Sequence, residues 1–259
     1  MAAIPVPPLS SETVLHIGEF PVRNTLLMAW MAMGVLILLG LRLKASRYKL
    51  IPGRFQAFME IVVEGLYDFF YAIFGDEKTT RRFLPVVATM FLFIIVANWM
   101  GILPGVGSIL IKGEHAGHEA MLPLFRSMNA DVNMTLIYAI VAVVLAQVVG
   151  LATLGILPHM GKYFVMPWKK PYGIGTFVGL LEFVGEFARI ASFTFRLFGN
   201  IFAGEVLLVV MSFLVPYLVP IPFLGLEIFV GFIQAMVFAM LTAVFLKMAM
   251  ESHGEHDHA

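Results

Sequence analysis

The sequence contains no cysteine. Without a thiol there is no disulfide frame, no thiolate nucleophile and no cysteine-ligated iron–sulfur cluster. Charge is nearly as scarce: 13% of the residues are Asp, Glu, Lys or Arg, against about 25% in an ordinary globular domain. The 17 basic and 17 acidic side chains cancel, so no bulk field marks the chain as a partner of nucleic acid. Catalytic signatures are missing too. There is no Gly-rich phosphate loop, no G-x-S-x-G elbow and no H-E-x-x-H pair. No apolar run carries two histidines placed to ligate haem, and no cofactor is expected. The first residues, MAAIPVPPLSSETVLHIGEF, lack the basic and apolar regions of a cleavable leader and read as a polar tail over 1–24. No internal repeat is visible, which argues against an inverted-repeat transporter.

Apolar residues fill this space. They make up 60% of the chain, and the mean hydropathy is +0.90, so the solvent to reason with is mostly lipid. The fold class expected is an all-α polytopic membrane protein. One membrane domain over 25–250 holds five crossing helices, at 25–43, 83–103, 132–157, 174–215 and 223–250. A sixth segment, 53–74, is different: Gln56, Glu60, Glu64 and Asp68 recur every four residues and stripe one face of a greasy helix. That pattern suits an amphipathic helix at the interface or against partner helices. Residues 251–259, ESHGEHDHA, could hold a metal ion adventitiously but read as a solvated tail. The stretch around Glu114, His115, His118 and Glu119 reads as a polar outer loop that could tune proton access.

Basic residues set the orientation. Arg42, Lys44, Arg47, Lys49 and Arg54 follow the first span, Lys78, Arg81 and Arg82 approach the second, Lys162, Lys169 and Lys170 follow the third, and Lys247 closes the last. The other side holds only Arg23, Lys112 and Arg126. The N-terminus is therefore expected outside and the C-terminus in the cytoplasm, with five crossings.

The run 174–215 is long enough to need explaining. As one helix it would extend about 63 Å, about twice a ~30 Å hydrocarbon core, so it must tilt steeply or break. No proline interrupts it, which favours tilt, while its glycines leave a kink open. At 100° per residue Glu182, Glu186, Arg189, Arg196 and Asn200 share an arc of about 80°, with Glu205 on another face. Folding this helix against the last one about the Pro-rich VPYLVPIP brings Asn200 and Arg196 near Gln234, and Glu205 near Glu227. Lys247 and Glu182 lie close enough to an end to snorkel. Arg196 does not: it sits about 30 Å from either end, where a charge costs at least ~2.5–3.5 kcal/mol. It has to face a partner, a cavity or a substrate. Interhelical hydrogen bonding alone remains an alternative for Asn200, Gln234, Glu205 and Glu227.

The stretch FRLFGNIFAGE, residues 195–205, resembles the signature of subunit a of rotary F-type ATP synthases. RRFLPVVATMFLFIIVANWMGILPG, NADVNMTL and IQAMVFAMLTAVFL fit the same family, and the resemblance runs from about residue 52 to 250. It implies a subunit with no catalysis of its own, which offers protons or sodium ions two offset half-channels to the mid-membrane carboxylates of a rotating ring. Arg196 would match the family's essential arginine facing that ring. Glu205, Glu227, Asn200 and Gln234 would match the outer half-channel, the place of Glu227 being held by His in some relatives. Glu182 and Arg189 would match the cytoplasmic side, where Glu186 joins them through the stripe. The partners implied are a ring of small hairpin c subunits, peripheral-stalk b subunits, the remaining synthase subunits and membrane lipid. The bias of basic residues and the lack of an import peptide point to the plasma membrane of a bacterium, with a thylakoid-type or organellar membrane as the alternative. The rival from another class is a self-contained cation channel or proton-coupled transporter using the same polar hairpin.

Overall fold

The computed structural model describes residues 11–45, 51–103, 105–106, 108–115, 118–156, 174–215 and 218–250. Among the described residues six helices carry the architecture: α1 (Asn24–Ala45), α2 (Arg54–Phe74), α3 (Glu77–Gly101), α4 (Val132–Leu154), α5 (Ile174–Leu214) and α6 (Pro220–Met250). All but α2 are long and apolar enough to cross a membrane. The C-terminal tail and the Lys162–Lys170 cluster lie outside the described residues.

Two antiparallel hairpins cap one end of the bundle: β1 (Thr13–Ile17) with β2 (Phe20–Arg23), and β3 (Leu110–His115) with β4 (His118–Pro123). The segment read as a tail therefore carries a β-hairpin before α1, and the polar outer loop is a second, pairing Glu114 with Glu119 and His115 with His118. Short hairpins of this kind satisfy backbone groups where the chain must cover helix ends.

The amphipathic pattern of α2 resolves into a buried face of Leu66, Phe70 and Phe74, while Glu60, Glu64 and Asp68 stay exposed. Gln56 is buried and its Nε2 donates to Glu60 Oε1 at 2.8 Å. The helix stops at Gly75, whose φ of 75° is the left-handed conformation that glycine adopts without steric cost, and its N–H reaches Tyr71 O at 2.8 Å. Asp76 follows at once as the N-cap of α3, accepting from Thr79 N at 2.8 Å and from Thr79 Oγ1 at 2.7 Å. One residue ends a helix and the next starts another, so α2 folds back tightly on α3.

Apolar packing between membrane helices gains little from water, so close approach of backbones matters more. On α6, Gly231, Ala235, Ala239 and Ala243 recur every four residues and are buried; Ala142, Ala146 and Gly150 do the same on α4. These stripes seat α6 between α3 and α4, and α4 against α5. Phe193 of α5 fills the space beside them, with its ring centroid 4.7 Å from Phe238 and 5.6 Å from Phe245. α1 packs on α3 at the periphery and leaves apolar side chains such as Leu38 exposed, as lipid-facing positions require.

Polar bonds lock the hairpin end. Asn98 of α3 donates through Nδ2 to Gly231 O of α6 at 2.9 Å and accepts from Asn129 Nδ2 at 2.6 Å. Trp99 Nε1 reaches Ile228 O at 3.1 Å. Asp131 caps α4 by accepting from Asn133 N at 2.9 Å, and its other oxygen accepts from Thr25 Oγ1 of α1 at 3.2 Å. The NADVN stretch thus acts as a structural junction. At the opposite end Lys247 Nζ donates to Ile73 O at 3.0 Å, tying the last turn of α6 to the last turn of α2.

The backbone N–H of Thr79 holds the Asp76 carboxyl below its ordinary value of 3.8, because the bond is made to the ionised form. A depressed carboxyl stabilises the fold above its unfolded value and ceases to do so as pH falls through the folded one. Amide hydrogen exchange in the first turn of α3 is expected to be slow at neutral pH and to quicken, beyond the intrinsic chemistry, only below pH 3.8. Asp76→Ala should show the faster exchange already at neutral pH.

Candidate functional site

Glu182, Glu186, Arg189, Arg196, Asn200 and Glu205 all lie on α5, which is a single continuous helix from Ile174 to Leu214. Glu227 and Gln234 lie on α6. The kink that the glycines left open is thus not needed to house the stretch; at 1.5 Å per residue the helix is about 60 Å long and has to run obliquely through a membrane.

The antiparallel register of α5 and α6 brings the expected partners together. Asn200 Nδ2 donates to Gln234 Oε1 at 2.6 Å, while Gln234 is buried and its Nε2 has no partner among the described residues. One turn along, Gly204 faces Glu227: a Cβ at that glycine would overlap the Glu227 carboxyl. The glycine is what makes room for an acid, itself buried, in the seam between two helices.

Glu205 points off that seam, as its position on the wheel requires, and meets a residue from elsewhere. Arg126, between β4 and α4 and 4% exposed, gives Nε to Glu205 Oε1 at 3.0 Å and Nη2 to Oε2 at 3.2 Å. This is the two-pronged guanidinium–carboxylate pair, which fixes orientation as well as charge. Arg126, Glu205 and Glu227 line one cavity of about 180 Å³ at the hairpin end, together with Asn98 and Ser127. At about 30 Å³ per molecule in the liquid, such a space holds several waters. Ser127 is buried and its Oγ lacks a partner among the described residues, as does Asn129 Oδ1 nearby in the chain.

Arg196 stands apart. It is half-buried near the middle of α5, its Nη2 donates to Ser192 Oγ at 3.0 Å, and Cζ lies 6.0 Å from the centroid of the Phe193 ring. Among the described residues no carboxylate pairs with it. Toward the other end of α5, Arg189 Nη1 is 2.6 Å from Glu186 Oε1 and stacks over Phe245 at 4.7 Å. Glu182 lies one turn further, half-buried. Seven of the eight residues therefore form three groups: an acid pair with Arg126 around a cavity, an amide pair beside a lone guanidinium at mid-length, and a short ion pair beyond; Glu182 joins none of them.

Sequence comparison identifies the family. Residues 26–247 match the model of the ATP synthase A chain. The chain belongs to the ATP synthase A chain family. It is 32% identical over 243 residues to ATP synthase subunit a of Syntrophobacter fumaroxidans, covering 93% of this chain and 90% of the relative. It is likewise 32% identical to subunit a of Trichlorobacter lovleyi, over 93% and 92% of the two chains, and 28% identical to that of Moorella thermoacetica, over 93% and 96%.

For a member of the A chain family, Arg126 is the residue that sequence reasoning misses. The sequence treats it only as a loop charge that helps set orientation. One signal was available: it is the single basic residue between Lys112 and Lys162. Nothing in helix periodicity, however, could join it to Glu205, because a loop position has no wheel.

Gly204 yields a test of the seam. In Gly204→Ala the new methyl group displaces the end of a flexible side chain rather than backbone, so the fold should absorb it by moving the Glu227 carboxyl out of place. The expected outcome is a melting temperature within a few degrees of the parent with ion transport reduced at least about tenfold, the scale set by an ångström-sized misplacement. Thermal unfolding and vesicle acidification measure the two arms.

Proposed function

We propose that this chain is the ion-translocating stator subunit of a rotary ATP synthase, in a bacterial plasma membrane, with the hairpin end outside and both the α6 terminus and the α2–α3 joint at the cytoplasmic side. The single observation that carries this reading is Arg196, a guanidinium at the middle of a membrane-length helix with no acid paired to it among the described residues. Such a charge is tolerable when a carboxylate from a neighbouring protein comes to it.

In this mechanism a ring of small hairpin subunits turns against α5, each presenting one carboxyl at mid-membrane depth. A carboxylate facing lipid is too costly to remain ionised, so a ring site must bind a proton (or a sodium ion) before it leaves the interface. Ions reach it from outside through the hairpin-end cavity, past Glu205 and Glu227 and along Asn200 and Gln234. The unpartnered atoms of Ser127 and Gln234 support a path wetted by water there, since buried polar groups are seldom left unpaired. After nearly a full turn the site loses its ion toward Glu182, Glu186 and Arg189, the second half-channel on the cytoplasmic side.

Arg196 separates the two. As a permanent cation, the character of arginine as a residue type, it attracts the emptied carboxylate, favours unloading and bars a direct leak. The transmembrane potential supplies ~2.3 kcal/mol per charge per 100 mV, and the offset between half-channels turns that into torque. The chain has no nucleotide chemistry of its own; ATP is made by the other synthase subunits, which a peripheral stalk holds against it.

Arg196→Gln in the assembled complex, reconstituted in vesicles, is expected to abolish ATP-driven acidification. Arg196→Lys should fare little better, because a buried lysine can shed its charge. Acidification at the parental rate in Arg196→Gln would end the stator reading.

A further inference from the structure

The cavity at the hairpin end holds two carboxyls, and the chain treats them differently. Both oxygens of Glu205 are taken by one guanidinium, Arg126 Nε to Oε1 at 3.0 Å and Nη2 to Oε2 at 3.2 Å. Glu227 lines the same space, is 8% exposed, and has no hydrogen-bond or ion-pair partner among the described residues. Its carboxyl rests against the bare backbone of Gly204, which offers packing and no bond through a side chain. Of the three charged groups, each comes from a different element: the segment after β4, α5 and α6.

A bidentate Arg–carboxylate pair commits a lone pair on each oxygen and fixes the plane of the acid. A carboxyl so held is a poor station for a mobile proton, since accepting one disrupts the pair and strands a buried cation, a costly state. A carboxyl with free lone pairs beside a space large enough for water has no such obstacle.

We propose that Arg126 is a positioning residue of the outer ion path: it holds Glu205 as a fixed anion and so leaves Glu227 as the one carboxyl of the cavity that takes up and passes a proton. This rests on the stator reading and deepens it, because it divides between two acids a role that the family resemblance assigns to both. The division also bears on what may pass. A hard metal cation needs several oxygen ligands at once. With Glu205 occupied by a guanidinium that repels cations, the cavity offers a single carboxyl. One carboxyl is enough to relay a proton, and the neighbouring guanidinium disfavours a dehydrated metal ion beside it.

Covalent labelling of the intact complex in vesicles tests this. A membrane-permeant carbodiimide captures carboxyls that carry a proton, and peptide mass spectrometry reads each position separately. In the parent, Glu227 should be modified and Glu205 protected by at least about tenfold, on the scale of a charge-assisted bidentate pair. In Arg126→Gln the two should be labelled at comparable rates, and Arg126→Lys, which keeps the charge and loses the fork, should fall between. External sodium should slow ATP-driven acidification in Arg126→Gln and leave the parent unaffected, a change that a merely structural anchor would not produce. Equal labelling of Glu205 and Glu227 in the parent overturns the proposal, and so does protection of Glu205 that persists in Arg126→Gln. Should Arg126→Gln fail to assemble, the parental ratio alone decides. The labelling ratio is independent of the Arg196→Gln result: pumping by the latter defeats the stator reading without changing the ratio, and equal labelling defeats the division of roles while Arg196 keeps its own.

Discussion

A cation buried in hydrocarbon must be balanced by something. On translocon scales a single arginine at a helix centre costs about 2.5–3.5 kcal/mol, and this chain spends its own acids elsewhere. Glu205 is held by Arg126 and Glu186 by Arg189, while Glu227 lies in the α5–α6 seam against Gly204. Among the described residues Arg196 keeps a serine hydroxyl and a phenylalanine ring 6.0 Å from its Cζ. Electrostatically the subunit is unfinished. Under the proposed function the helices around it are a frame that keeps one positive charge at a fixed depth and a fixed azimuth while the opposite charge comes from outside the chain.

The frame is built without a strong hydrophobic incentive, since lipid tails are as apolar as leucine. Two devices replace it. Small residues let backbones approach, and a few polar bonds set the register. Asn98 shows how economically the second works: one amide joins α3 to the backbone of α6 and to the loop before α4. The same bond fixes where Gly231 sits, and with it the height of Glu227 one turn before and Gln234 one turn after. Heights along the α5–α6 seam are therefore set in part from α3.

The sequence makes much of this legible and hides the rest for a definite reason. Five crossings follow from hydropathy, and the partnership of Asn200 with Gln234 follows from a wheel and a turn position, because both depend on regular periods. Glu227 beside Glu205 follows in the same way. Periodicity carries no information about Arg126, which reaches its acid across 79 positions in the chain, nor about the β-hairpins, whose short strands are interleaved with glycine, proline and histidine. Gly204 shows a third kind of blindness. As one of several glycines in a long apolar run it looks like a flexible joint, whereas it is a vacancy kept for a neighbour's side chain. Only the register of two helices distinguishes those meanings.

The small-residue stripes carry a mechanical consequence. Long, rotatable side chains between helices behave as a soft layer, yielding sideways before they transmit a load. Along one face of α6 that layer is thin, since Gly231, Ala235, Ala239 and Ala243 are small and buried, and Lys247 pins the far end to α2. A shove delivered to the exposed flank of α5 would pass into the bundle almost undamped. Stiffness in this protein is achieved by leaving atoms out.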